Sequence, residues 1–137
     1  MNSDTAAAAP FRRILLVDDD ARTARRLAQM LREDGYEVDL VADGAAAIAY
    51  LARSPLPDVL VTDLRLPYAD GLAVTQYARA RKPGLPVIVV TGYPHMVAAS
   101  GSDFQPAPHV FTKPLDYHEL SSELRRVLPV AEAQESG

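Results

Sequence analysis

The 137 residues fit one domain, and 48% apolar with 23% charged residues are the proportions of an ordinary globular protein. A formal net charge of -4 with dispersed basic residues argues against nucleic acid as a direct partner, and the lack of cysteine excludes disulfides, thiolate metal sites and cysteine nucleophiles. No apolar run approaches the ~18 residues that a membrane span needs, and "MNSDTAAAAP" has neither the basic start nor the apolar length of a signal peptide, so the chain reads as cytoplasmic with no membrane partner.

Residues 1–10 are small and polar, as in a disordered tail. "RILLV" (13–17) lacks clean alternation, which fits a strand buried on both faces of a parallel sheet. It runs directly into Asp18, Asp19 and Asp20. Adjacent carboxylates repel, and burying any of them is costly unless something positive compensates, so the triplet calls for a cation or a helix cap. Asp20 stands where the next helix needs its N-cap. That helix carries Ala24, Leu27, Ala28 and Leu31 as one apolar stripe, with Arg22, Arg25, Arg26 and Arg32 on a basic outer face, and Gly35 as its stop.

"YEVDLV" (36–41) predicts the second strand; Ala47, Ile48 and Leu51 predict the second helix, ended by Pro55 and Pro57. "DVLVT" (58–62) leads to Asp63, and the turn "ADG" to a third helix with the stripe Ala73, Tyr77 and Ala80. "PVIVV" (86–90) leads to Thr91 and Gly92, after which only His95 to about Ser100 can be helical before the Gly and prolines of "GSDFQPAPH". "HVFT" (109–112) leads to Lys113 and Pro114. The last helix has Leu120, Leu124, Val127 and Leu128 on one face, Asp116 and Glu119 spaced as a capping box, and Pro129 as its end. Residues 130–137 read as a disordered tail or a truncated linker, which leaves 11–129 as the domain. His95, His109 and His118 show no ligand spacing and read as structural or solvated.

Strand and helix alternate five times, which predicts an α/β three-layer sandwich around a parallel sheet. In such sheets the ligand site lies outside the carboxyl ends of the strands. At those ends stand Asp18, Asp19 and Asp20, then Asp63, then Thr91 and Gly92, then Lys113 and Pro114. Two or three carboxylates suit a hard divalent cation such as Mg2+, and a hydroxyl and an ammonium suit phosphoryl oxygens. One carboxylate is then free to act as a nucleophile. The set points to metal-assisted phosphoryl transfer onto an aspartate.

The series "LLVDDD", "DVLVTDLRLPYADG", "VIVVTG" and "FTKP", in this order over residues 12–128, closely resembles the receiver domain of bacterial two-component response regulators. The resemblance implies a flavodoxin-like (βα)5 fold with strand order 2-1-3-4-5. It implies Asp63 as phosphoacceptor, Asp19 as a direct Mg2+ ligand, Asp18 acting through metal-bound water, and the Arg65 main-chain carbonyl as a further metal oxygen. Thr91 would hydrogen-bond the phosphoryl group, Lys113 would pair with it, and the bond to Pro114 would be cis. Arg65, Gly92 and Tyr93 beside the site would modulate the phosphoryl group. Where many receivers carry a switching Tyr or Phe, this chain has Val110, with Phe111 one residue later.

The function so implied is a phosphoprotein of a phosphorelay and not an enzyme proper. A histidine kinase or histidine phosphotransfer protein, docking on the first helix, donates to Asp63, and the resulting change regulates a downstream partner, a homodimer or a missing output domain. A start at Met1 suits a free-standing regulator or the N-terminal piece of a longer one. Two alternatives are a phosphorylation-independent interaction module and a haloacid-dehalogenase-type phosphohydrolase with Asp18 as nucleophile and Asp20 two residues on. In the latter, Arg22 stands where Thr or Val is expected.

Overall fold

A computed structural model describes residues 12–53, 55–101 and 104–128. The expected tails at 1–10 and 130–137 and the helix stop at Pro129 lie outside the described residues. Five strands alternate with five helices: β1 (Arg13–Val17), α1 (Ala21–Glu33), β2 (Glu37–Val41), α2 (Gly44–Arg53), β3 (Val59–Asp63), α3 (Gly71–Arg81), β4 (Val87–Thr91), α4 (Pro94–Gly101), β5 (His109–Thr112) and α5 (Tyr117–Val127). All pairings are parallel and the sheet order is β2-β1-β3-β4-β5, the flavodoxin-like arrangement.

The strands owe their continuous apolar runs to burial on both faces. Ile14, Leu16, Val59, Val61, Ile88 and Val90 pack on one side with Leu27, Ala28 and Leu31 of α1 and Leu120 and Leu124 of α5. Leu15, Val17, Leu60, Val87 and Val89 pack on the other side with residues of α2, α3 and α4. Alternation along each strand thus supplies two cores from one sequence. Each fully buried aliphatic side chain contributes about 1.5–3 kcal/mol.

Helix ends follow local chemistry. The Asp20 carboxylate accepts from the Thr23 N–H at 3.3 Å and caps α1. Asp70 accepts from the Ala73 N–H at 2.8 Å and caps α3. Gly35, at φ +99°, takes the left-handed conformation that ends α1. Asp116 caps α5 through the His118 N–H at 2.9 Å, but no bond from Glu119 back to Asp116 is present among the described residues, so only half of the expected capping box forms.

Strands β3 and β4 end in Asp63 and Thr91, which stay within the ladder opposite Val90 and Thr112. Two expectations are corrected. In α3 the buried stripe is Gly71, Val74, Thr75 and Ala78, while Ala73 and Ala80 are exposed and Tyr77 is half-buried. Both stripes have helical spacing in this alanine-rich segment, and the close seat of Gly71 on β3 selects the rotation. Arg32 is not a free member of the basic face of α1, since its guanidinium donates to the Val38 carbonyl at 2.7 Å and ties α1 to β2.

At the edge of the sheet Glu123 of α5 is buried between Arg126, which binds both its oxygens, and His109 Nδ1 at 3.3 Å. The Arg126 hydrogen bonds, helped by His109, hold its pKa below the ordinary glutamate value against the opposing effect of burial. A depressed carboxylate stabilises the fold above its unfolded pKa and loses that contribution as pH falls through the folded value. The stability of the wild type should therefore decline below about pH 4.5 more steeply than that of Glu123→Gln, measured by urea unfolding across pH 3 to 6. At Gly71 a Cβ would lie 2.2 Å from the Asp63 carbonyl oxygen, a backbone atom that cannot yield. Gly71→Ala should cost about 2–3 kcal/mol, seen as a lower urea midpoint at unchanged slope.

Candidate functional site

The register of the sheet assembles the site. Val17 of β1 stands opposite Thr62 of β3, so Asp18 and Asp63 leave their strands at the same level. Asp63 stands opposite Val90, which puts Thr91 one step beyond. Thr91 stands opposite Thr112, and the Lys113 N–H donates to the Thr91 carbonyl at 2.9 Å. Residues far apart in the chain thus arrive at one rim.

Asp18 and Asp63 are both only 8% exposed. One carboxylate oxygen from each of Asp18, Asp19 and Asp63 can be chosen so that all lie within 4.8 Å of one another, with Asp19 exposed at the mouth. Lys113 Nζ donates to Asp63 Oδ2 at 2.8 Å. Burial works against the lysine charge, but the bond to Asp63 and the nearby Asp18 and Asp19 outweigh it and raise its pKa above the ordinary value. Burial also pushes the Asp18 carboxyl up, reinforced by the Asp63 and Asp19 charges, while the Asp20 N–H at 2.9 Å and Lys113 pull the other way. Three carboxylates facing one ammonium are short of positive charge. An all-oxygen donor set of this size suits Mg2+, which takes few protein ligands and keeps waters or phosphoryl oxygens in its other positions.

The remaining predicted residues fall around this centre. Thr91 is 0% exposed, and its Oγ1 accepts from the Tyr93 N–H at 2.8 Å. The Arg65 guanidinium lies 5.0 Å from the centre of the Tyr93 ring. Gly92, between Thr91 and Tyr93, has open space where a Cβ would stand. The Lys113–Pro114 peptide is cis. Val110 is not at the site: it pairs with Val89 and packs in the α2–α4 core. Asp20 is committed to its cap on α1, which removes the second acid that a dehalogenase-type centre requires.

Two supporting residues were not singled out from the sequence. Thr62 is fully buried and its hydroxyl donates to the Asp63 carbonyl at 2.8 Å. Gly71 lets the start of α3 approach that same carbonyl, and its N–H donates to the Leu64 carbonyl at 2.8 Å. The "DG" of the turn was a signal for the glycine; a buried Thr within a β-branched run carries none. Beside the acidic centre, a cleft of about 660 Å3 opens between α1 and the loop from β5 to α5. It is lined by Leu27 and Met30 of α1 and by Pro114, Leu115 and Tyr117 beyond β5, and Asp63 lies in its wall.

The model of the response regulator receiver domain matches residues 14–125, and the chain belongs to that family. It is a phosphoacceptor domain of two-component signalling, not a classical enzyme, with an acidic pocket of Asp18, Asp19 and Asp63 for Mg2+-dependent phosphorylation. The Mycobacterium tuberculosis probable transcriptional regulatory protein TcrX is 35% identical over 121 residues, covering 84% of this chain and 49% of that protein. The chain spans about half the length of the curated relatives it matches. The Thermotoga maritima response regulator TrrA, solved in complex with Mg2+-BeF, superposes with a TM-score of 0.76 at 28% identity, covering 86% of this chain and 100% of that one. The receiver domain of a Pseudomonas aeruginosa sensor histidine kinase, solved with magnesium coordinated in its active-site cleft, gives 0.71 at 31% identity, covering 87% and 98%. A receiver domain implies a cognate histidine kinase. No helix among the described residues is long and apolar enough to cross a membrane.

Mg2+ should raise the thermal midpoint of the wild type as any ligand selective for the folded state does. Asp19→Asn, at an exposed position, should fold normally yet need roughly tenfold more Mg2+ for the same rise. A Mg2+ series in a thermal-unfolding assay measures both.

Proposed function

We propose that Asp63 is the phosphoacceptor and that this chain is the input half of a phosphorelay switch. The observation that carries the assignment is the Lys113–Asp63 bond at 2.8 Å beside the Asp18 and Asp19 carboxylates. Lys113 holds Oδ2 of Asp63, whereas Oδ1 has no hydrogen bond among the described residues and is the oxygen left to attack. Attack on phosphorus forms the O–P bond of an aspartyl phosphate as the N–P bond of a phosphohistidine donor breaks, its electron pair going to the imidazole. The Lys113 ammonium is placed to stay with the phosphoryl oxygens as a point charge, and the Thr91 hydroxyl to donate to one of them.

Asp18, Asp19, Asp63 and the Arg65 carbonyl are the groups that would hold Mg2+, which when bound neutralises phosphoryl charge and lessens the repulsion among the carboxylates. Thr62 and Gly71 fix the backbone of Asp63 and so aim its side chain.

The donor is a histidine kinase or a histidine phosphotransfer protein. It approaches along α1 and the cleft, because Asp63 is reached from there and the exposed Arg22, Arg25 and Arg26 of that helix have no ion-pair partner among the described residues. Phosphorylation adds about -1.5 to -2 charge at a site already rich in carboxylates, and that charge biases the loops after β3 and β4. The changed surface would regulate a partner protein, a second copy or an attached output segment, with no direct contact of this domain to nucleic acid. Arg65, Gly92 and Tyr93, beside the site, set how long the phosphoryl group persists, whereas Val110, packed in the α2–α4 core, does not touch it.

Incubation with an acyl-phosphate donor and Mg2+ should label the wild type once, on Asp63, by intact mass and peptide mapping. Asp63→Asn should take no label, and Lys113→Ala should be labelled but respond weakly in conformation. Label retained in Asp63→Asn would move the phosphoacceptor elsewhere.

A further inference from the structure

The loop 64–70, between β3 and α3, leads from Asp63 to the Asp70 cap and carries Arg65. Its own sequence does not favour the path it takes. Tyr68 sits at φ +73°, in the left-handed region, and is the one residue other than glycine to do so among the described residues. That conformation is unfavourable for a bulky side chain, and the ring, 86% exposed, gains no packing in return. Such strain persists only where the surroundings impose it. Here two helix starts do so. Gly71 of α3 donates to the Leu64 carbonyl at 2.8 Å and fixes the ends of the loop. Gly44, the first residue of α2, donates to the Pro67 carbonyl at 3.1 Å, and the Ala69 N–H donates to the same oxygen at 2.8 Å, closing the turn at Tyr68. A Cβ on Gly44 would lie 1.8 Å from the Ala69 carbonyl oxygen. Backbone meets backbone there, at a distance that only glycine permits. Asp43 in turn fixes the start of α2 by accepting from the Ala46 N–H at 2.7 Å.

We infer that Gly44 is a positioning residue for the cation site: by seating the loop 64–70 on the start of α2, it sets where the Arg65 carbonyl stands beside Asp18, Asp19 and Asp63. The inference rests on the Arg65 carbonyl being one of the groups that hold Mg2+. The bond from Gly44 and its close approach hold the middle of the loop, where Tyr68 works against the turn. Without that seat the backbone at Tyr68 relaxes toward negative φ, and Arg65, three residues earlier, moves with it. Mg2+ demands near-ideal octahedral geometry, so a small displacement of one oxygen lowers its affinity. Gly44 has no side chain to offer the cation and acts through Pro67 and Ala69. The start of α2 thereby serves the rim, besides the apolar packing that Ala47 and Leu51 give the core below.

The test titrates Mg2+ into the folded proteins by calorimetry, reads stability separately as the urea midpoint, and follows the Arg65 carbonyl carbon by NMR. Gly44→Ala should bind Mg2+ roughly tenfold more weakly than the wild type, the lower end of what loss of a group supporting a metal ligand costs. Asp43→Ala removes the α2 cap without adding atoms to the contact, and should fold and bind about threefold more weakly. Gly35→Ala strains the end of α1, away from the loop, and should lower the urea midpoint with Mg2+ affinity unchanged. Tyr68→Gly relieves the turn and should raise the midpoint, again with affinity unchanged. Wild-type affinity in folded Gly44→Ala overturns the inference; where that variant does not fold, wild-type affinity in Asp43→Ala does so. An equal loss in Gly35→Ala also overturns it, because the effect is then one of general stability. The same loss in Tyr68→Gly overturns it by making the turn residue, not α2, responsible. In each of these cases an Arg65 carbonyl resonance that shifts with Mg2+ in the wild type leaves the cation-site reading standing. Absence of that shift defeats the Arg65 assignment and this inference together.

Discussion

The structure turns on a charge imbalance that its own hydrogen-bond register creates. The Val17–Thr62 pairing brings Asp18 level with Asp63, and Asp19 follows at the mouth, with Lys113 as the ammonium bonded to Asp63. Burial and like charge push the Asp18 carboxyl up, and the carboxylates hold the Lys113 proton more firmly. Like charges so close are tolerated only where further positive charge or a strong acceptor role is available. A divalent cation satisfies that need, which is why a site short of positive charge is suited to Mg2+.

The rest of the molecule keeps that imbalance in place. Two apolar cores, one on each face of the sheet, fix the strand ends against the repulsion. The backbone at Asp63 is held more closely than a strand end requires, by the Thr62 hydroxyl and by a glycine contact that no other residue could make.

The apolar cleft beside Asp63 opens on the side of the site that carries Arg26 of α1. The contacts of Thr91, Tyr93 and Arg65 lie across the other side of the site, toward α4.

Much of this was legible in the sequence. Apolar runs without alternation marked the strands, and the β/α rhythm marked the parallel sheet. The polar residue after each run marked the rim, because one residue at a strand end is enough to place a group there. The Asp20 cap was legible for the same local reason. What stayed illegible was whatever depends on rotation or distance between elements. In α3 two stripes had equal helical spacing, and only the seat of Gly71 on the Asp63 carbonyl selected one. Arg32 read as solvated until β2 was seen to offer it a carbonyl. The acidic triplet by itself indicated a cation or a cap, and the Asp63 to Lys113 bond and the Tyr93–Arg65 stack needed the assembled strands. Local chemistry determined which groups the chain carries to its rim; tertiary structure decided which of them meet, because hydrogen-bond register converts distances along the chain into distances across a sheet.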